Sequence, residues 1–187
     1  MNVINTMFPD VFLFEPDVFL DERGYFMEAF NEKTLQKLGF SFKFVQDNHS
    51  FSNSSGVLRG LHYQLSEKAQ TKLIRVIKGA IWDVVVDLRK GSPTFKKWEG
   101  FILSENNKRQ LLVPKGFAHG FCTIVKETEV IYKVDEFYSP EFDRGICWND
   151  DELQISWPVQ KPILSVKDAS LPPLREAEND FVWRSWP

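Results

Sequence analysis

The chain has only two cysteines and three histidines in 187 residues. Cys122 and Cys147 lie far apart, with no CxxC and no Cys/His pairing, so neither a disulfide scaffold nor a zinc knuckle is expected. Both read as small core thiols in a reducing cytoplasm. Long apolar runs are missing as well. Stretches such as Val84 to Val86 fall far short of the ~20 residues a membrane helix requires. The start, MNVINTMFPD, has neither the basic segment nor the apolar run of a secretion signal. A cytoplasmic location and no membrane partner are the expectation. No charge sign dominates: 23 Lys and Arg stand against 26 Asp and Glu, for a net charge of −3. The basic pairs Lys96-Lys97 and Lys108-Arg109 are isolated rather than gathered into a stripe, which argues for solvated faces and against a nucleic-acid partner. There is no internal repeat, low-complexity run or linker, and no glycine-rich dinucleotide fingerprint. One domain over 1–187 follows.

What is present is bulk. With 17 Phe and 6 Trp, the chain has more large side chains than one helix bundle usually needs, which favours a β-rich fold. Turn signals recur at Gly56, Gly79, Gly91-Ser92-Pro93, Gly100 and Pro114-Lys115-Gly116, separated by segments rich in Val, Ile, Leu and Phe. That spacing predicts a sandwich or barrel of short strands. In Ala80 to Arg89, alternation puts Ile81, Asp83, Val85 and Asp87 on one face and Trp82, Val84, Val86 and Leu88 on the other. Both faces are largely apolar, so this strand is expected to be covered twice. The clearest helix spans Asn31 to Leu38, with Asn31 as N-cap and Gly39 as stop. From about Lys161 the chain becomes Pro-rich and reads as an irregular tail wrapped on the body, with a second small helix.

Two of the histidines follow glycine-bearing turns: Gly56-Val-Leu-Arg-Gly-Leu-His62-Tyr-Gln64 and Pro114-Lys-Gly116-Phe-Ala-His119. The spacings resemble the two motifs of the cupin superfamily, Gly-x5-His-x-His with a following Glu and Pro-x-Gly-x2-His. This resemblance implies an all-β jelly-roll barrel with a few short helices. Metal-binding cupins use both histidines of the first motif, its Glu and the later His. Here the second histidine is Gln64, and the Glu position holds Lys68 or Ala69. Two histidines without a placed carboxylate fall short of the usual three protein ligands, so no metal is expected. Imidazole, with an unperturbed pKa near ~6.5, can instead act as a general base when a carboxylate holds its tautomer. Asp83, Asp87 and Asp168 are the candidates, and spacing does not choose among them. An unpaired charge in the strand of Asp83 and Asp87 would cost several kcal/mol, so both must be paired or at the surface.

Further runs carry a closer resemblance: Asp21-Glu-Arg-Gly24, Phe44-Val-Gln-Asp-Asn-His-Ser50, Leu58 to Gln64, Asp83-Val-Val-Val-Asp87, Ser92-Pro-Thr-Phe95, Pro114 to Phe121, Tyr138-Ser-Pro140 and Leu164-Ser-Val-Lys-Asp168. Together, over roughly Asp10 to Leu174, they resemble the dTDP-4-dehydrorhamnose 3,5-epimerase family. The resemblance implies catalysis by a base at His62 oriented by Asp168, an acid at Tyr132 and a cation at Lys72 facing the substrate's ketone oxygen. It implies a diphosphate held by Arg23 and Arg59. Glu28, Gln46, Asp47, Asn48 and Tyr138 would shape the nucleotide pocket, with Tyr138 stacked on thymine. It places His119, Asp143 and Lys167 at substrate-contacting positions. It also implies a dTDP-sugar substrate, no cofactor, a role in dTDP-rhamnose supply and a homodimer whose N-terminal parts cross between pockets. Three other readings stay open here: a C3-only epimerase of a related nucleotide sugar, a metal-dependent cupin enzyme, and a non-catalytic sugar-nucleotide-binding module. One tension is geometric, because Arg59 and His62 are three apart and would face opposite sides of a regular strand. A bulge or turn at Gly60 would resolve it.

Overall fold

The computed structural model describes residues 1–183, so the last four residues of the expected 1–187 domain lie outside it. The strands are β1 (Asn2–Asn5), β2 (Phe12–Glu15), β3 (Val18–Asp21), β4 (Gly24–Met27), β5 (Gln46–Ser52), β6 (Leu58–Gln64), β7 (Lys72–Lys78), β8 (Ala80–Asp87), β9 (Trp98–Ser104), β10 (Gln110–Val113), β11 (Phe117–Thr123), β12 (Thr128–Val134) and β13 (Asp143–Gly145). The helices are α1 (Glu32–Lys37) and α2 (Val166–Ala169). A six-stranded sheet, ordered β1-β2-β10-β7-β12-β5, faces a five-stranded sheet, ordered β13-β6-β11-β8-β9, while β3 and β4 form a separate hairpin. The fold is an all-β jelly roll. The expected barrel does not close, because the edge strands β5 and β13 belong to different sheets and do not pair. Three-residue β13 is too short to carry a ladder across the gap. No helix among the described residues is long and apolar enough to cross a membrane.

Three apolar layers follow from strand alternation. Ile81 and Val85 of β8 point between the sheets, where they join Ile74, Leu111, Phe117 and Val130. Val84, Val86 and Leu88 point the other way and are covered by Leu153, Leu174 and Phe181. The double covering expected for this strand is therefore present, and each fully buried aliphatic side chain contributes about 1.5–3 kcal/mol. The outer face of the six-stranded sheet carries Phe14, Leu73 and Leu112 under Leu35 of α1 and a ring of phenylalanines that includes Phe30, Phe40 and Phe44. Asn31 caps α1 by accepting the N–H groups of Lys33 and Thr34, and Gly39 ends it at φ +90°. The irregular covering segment begins directly after β13, the last strand and earlier than the expected Lys161, and it pairs with the body again only through the single bridges of Ile163 to Val57 and Val182 to Lys90. It carries α2, the second small helix. Cys122 is fully buried as expected, whereas Cys147 lies on this segment and is only half-buried.

The register between β6 and β11 explains how Arg59 and His62 share a face. His62 pairs with His119 and Arg59 with Phe121, so three steps along β6 match two along β11. The additional residue is a bulge at Gly60, which has φ +117°. A Cβ at Gly60 would lie 2.6 Å from the Cα of Gly120, and one at Gly120 would lie 2.8 Å from the Arg59 carbonyl oxygen. Two facing glycines are therefore needed for the strands to approach this closely. Gly60→Ala is expected to lose at least about 1–3 kcal/mol from backbone strain alone. Urea titration should show a lower midpoint at an unchanged slope.

Candidate active site

Between the sheets, beside the gap left by β5 and β13, lies a chamber of about 270 Å³ lined by Ser50, Arg59, His62, Lys72, His119, Phe121, Tyr132, Ser165, Lys167 and Asp168. It adjoins a second hollow of about 220 Å³ that shares His62, Lys72, Tyr132 and Lys167 and reaches Gln64, Tyr138 and Asp143. All four expected catalytic side chains therefore border one chamber. Alternation brings Tyr132 of β12 inward with Val130 and Val134, and the bulge turns His62 inward beside Arg59.

Each chamber histidine sits on a carboxylate. His62 Nε2 and Asp168 Oδ1 are 2.6 Å apart, and His119 Nε2 lies 2.8 and 3.0 Å from the two oxygens of fully buried Asp83. With Nε2–H donated to Asp168, the lone pair of His62 belongs to Nδ1, the tautomer a general base needs. Asp168 is itself held by α2. Ser165 Oγ donates to Asp168 Oδ2 at 2.7 Å and accepts the Asp168 N–H at 3.0 Å, while the Gly60 N–H reaches Oδ1 at 3.4 Å. Burial opposes the charge on Asp168, yet these bonds, led by that of His62, hold its carboxyl below the usual range. Asp87 finds its counterion in Arg89, with Ser92 and Thr94 donating to it as well, so both strand carboxylates are paired as the cost of burial requires. Asp83 thus serves His119, leaving Asp168 to His62.

Lys72 Nζ lies 3.4 Å from the His62 carbonyl oxygen. Burial pushes its ammonium down to about 8, against the pull of the Asp143 and Asp83 carboxylates. Burial likewise raises the Tyr132 phenol above its ordinary value, which keeps the hydroxyl neutral and able to donate. If the Lys72 charge is what the reaction needs, kcat should fall as pH rises through about 8 and the ammonium loses its proton. Lys72→Arg should move that limb upward, because a guanidinium stays charged. A pH-rate profile of both proteins checks this, and an alkaline limb unmoved by the substitution would assign it to another group.

The residues expected on the nucleotide side divide by face. Gln46 and Asn48 pair with Val134 and Tyr132 and share their inward face. The Gln46 Nε2 donates to Asn48 Oδ1 at 2.9 Å, and Gln46 Oε1 accepts the Tyr138 N–H at 3.1 Å. Tyr138 donates its hydroxyl to Asp143 Oδ2 at 2.9 Å, and the Lys167 ammonium binds the same oxygen. Asp47 lies between Gln46 and Asn48 and faces outward, where it pairs with Lys133 at 2.9 Å. Glu28 is also outside: it accepts from Asn31 and Thr34 and borders, with Asp47, a hollow of about 500 Å³ over the outer face of the six-stranded sheet. This larger hollow touches Tyr132 but holds none of His62, Lys72 and Asp168, which meet in the smaller chamber. Arg23 is exposed at the tip of the β3-β4 hairpin and bonds Asp21. Arg23, Glu28 and Asp47 therefore do not join the chamber, and Gln46 and Asn48, although on the inward face, line neither of its two hollows. Ser50, Phe121 and Ser165 are chamber residues that sequence reasoning missed. Ser165 was signalled by its place three residues before Asp168, the spacing of a capping box.

The donor set does not suit a cupin metal. The Gln64 amide, at the second-histidine position, is spent on backbone groups, which leaves His62 and His119 as two imidazoles where such a site needs three protein ligands. Among the described residues no three His, Cys, Asp or Glu side chains converge as ligands.

The family profile described as dTDP-4-dehydrorhamnose 3,5-epimerase matches residues 5–176. The chain belongs to this family. It is 58% identical over 169 residues to the dTDP-4-dehydrorhamnose 3,5-epimerase of Shigella flexneri, covering 90% of this chain and 93% of that one. A crystal structure of the Bacillus anthracis dTDP-4-dehydrorhamnose 3,5-epimerase with TDP and PPi bound superposes with a TM-score of 0.91 at 61% identity, covering 92% of this chain and 99% of that one. The dTDP-6-deoxy-D-glucose-3,5-epimerase of Legionella pneumophila, in complex with dTDP-4-keto-L-rhamnose, has a TM-score of 0.89 at 46% identity, covering 94% and 93%.

Proposed function

We propose that this chain is an isomerase that epimerises C3 and C5 of dTDP-4-dehydro-6-deoxy-D-glucose, giving dTDP-4-dehydro-L-rhamnose. The observation that carries the reading is the convergence of an Asp168-held His62, buried Lys72 and neutral Tyr132 in one chamber. His62 Nδ1 takes the proton from the carbon beside the C4 ketone. The electrons pass into the ketone oxygen, and the Lys72 ammonium stabilises the enolate in a site poor in water. Tyr132, on the opposing sheet, returns a proton to the other face of the ring. Arg59 takes the diphosphate and Tyr138 the base, with Gln46, Asn48, His119, Asp143 and Lys167 around the ligand.

Arg23, Glu28 and Asp47 enter this reading through a homodimer. The β3-β4 hairpin exposes Phe19, Leu20, Tyr25 and Phe26, an apolar surface that a second copy would cover. The hairpin would then lend Arg23 to the partner's chamber. We place the enzyme in the cytoplasm and treat 1–187 as one catalytic domain.

Turnover of dTDP-4-dehydro-6-deoxy-D-glucose in heavy water should put deuterium at both C3 and C5, read by NMR of the recovered sugar nucleotide. Both carbons flank the ketone and would use the same enolate-stabilising Lys72. Label at C3 alone would make the protein a 3-epimerase, and tight dTDP binding without label would make it a binding module.

A further inference from the structure

Gln64 follows His62 by two residues on β6 and occupies the position of the second histidine in metal-binding cupins. It is buried, and three of its four amide hydrogen bonds are made to backbone. Its Nε2 donates to the carbonyl oxygens of Lys68 at 2.5 Å and Phe137 at 3.2 Å, and its Oε1 accepts the Ser139 N–H at 2.7 Å. Two of these bonds fall on the residues immediately before and after Tyr138. From the opposite sheet, Gln46 accepts the N–H of Tyr138 itself. The segment between β12 and β13, which passes from one sheet to the other, is therefore pinned from both sides at the residue whose ring is offered to the ligand. Tyr138 is 54% exposed, and its side chain is held only at the tip, by the hydroxyl bond to Asp143, so the direction of the ring depends on the backbone that carries it.

We infer that Gln64 is a positioning residue for nucleotide binding, acting through Tyr138 by clamping the backbone on both sides of it. The inference rests on the reading in which Tyr138 stacks on the base. A loop held in one conformation presents the ring ready to bind. A released loop spends only part of its time so, and apparent affinity falls by that fraction. His62 shares β6 with Gln64, but its imidazole is fixed by Asp168 of α2, and Tyr132 lies on β12, so the clamp acts on binding rather than on the chemical step.

Gln64→Met keeps the length of the side chain and removes its hydrogen bonds. The expected result is a rise of ~10-fold in KM and in the Kd for dTDP measured by calorimetry, as for a binding-competent fraction of about one tenth, with kcat within ~2-fold. In a Tyr138→Ala background the same substitution should add almost nothing, since two residues acting through one ring are not additive. Unchanged KM and Kd, a fall confined to kcat, or full additivity with Tyr138→Ala would each overturn the inference. Should Gln64→Met fail to fold, Gln64→Glu retains the acceptor for Ser139, loses both donated bonds and is judged by the same outcomes. The underlying reading is tested separately by Tyr138→Ala alone. Unchanged dTDP affinity there would remove the stacking role and this inference with it. Weakened dTDP binding in Tyr138→Ala but not in Gln64→Met would remove only the clamp.

Discussion

His62→Ala is expected to abolish turnover while leaving the affinity for dTDP close to that of the parent chain. The imidazole is needed for proton transfer, and losing an interaction of that kind lowers the rate without a matching loss of ground-state binding. General-base contributions of about 10²–10⁴-fold set the minimum expected effect. Asp168→Asn should keep the fold, because Ser165 can still cap α2, and should slow turnover within that same range. An asparagine can offer its N–H₂ to Nε2, which would move the ring proton to Nδ1 and remove the lone pair from the reacting side. Steady-state kinetics with calorimetry decides the matter. A His62→Ala protein that no longer binds dTDP would make the histidine a binding residue.

Tyr132→Phe is expected to separate the two halves of the reaction. The ring and its packing against the central core remain, while the hydroxyl that returns the proton is removed. Substrate protons should still exchange with heavy water through His62, yet epimerised product should fall by a factor comparable to the loss of a general acid, about 10²–10⁴. Exchange without inversion is the diagnostic outcome, read by NMR of the recovered sugar nucleotide. Normal yields of inverted product from Tyr132→Phe would assign the reprotonation to water or to another acid.

The parts of the fold that depend on local pattern were readable from the chain. The period-two alternation of Ala80 to Arg89 assigned each side chain to its layer, and the Asn31 cap and Gly39 stop bounded α1. An irregularity at Gly60, a bulge or a turn, was legible because Arg59 and His62 had to share a face, and the register makes it a bulge. The site was less legible where distant segments meet. Three aspartates were equivalent candidates until folding placed Asp83 beside His119 and Asp168 beside His62, the latter pair 106 positions apart. Asp47 shows the opposite case. Three consecutive strand residues cannot share a face, so Gln46 and Asn48 inside require Asp47 outside, and alternation alone could have said so. Cys147 and the early start of the irregular segment were missed because nothing in composition marks where pairing ends.

The order of the site residues along the chain gives catalysis a place in time. The last strand ends at Gly145, while the carboxylate that prepares His62 arrives later, on α2. Contacts between distant segments form slowly, since the entropy of closing the intervening loop is lost before the contact repays it. During synthesis, at ~5–20 residues per second, the N-terminal portions also emerge first. The base becomes competent only when the rear of the polypeptide docks, so activity marks the completion of assembly rather than its beginning.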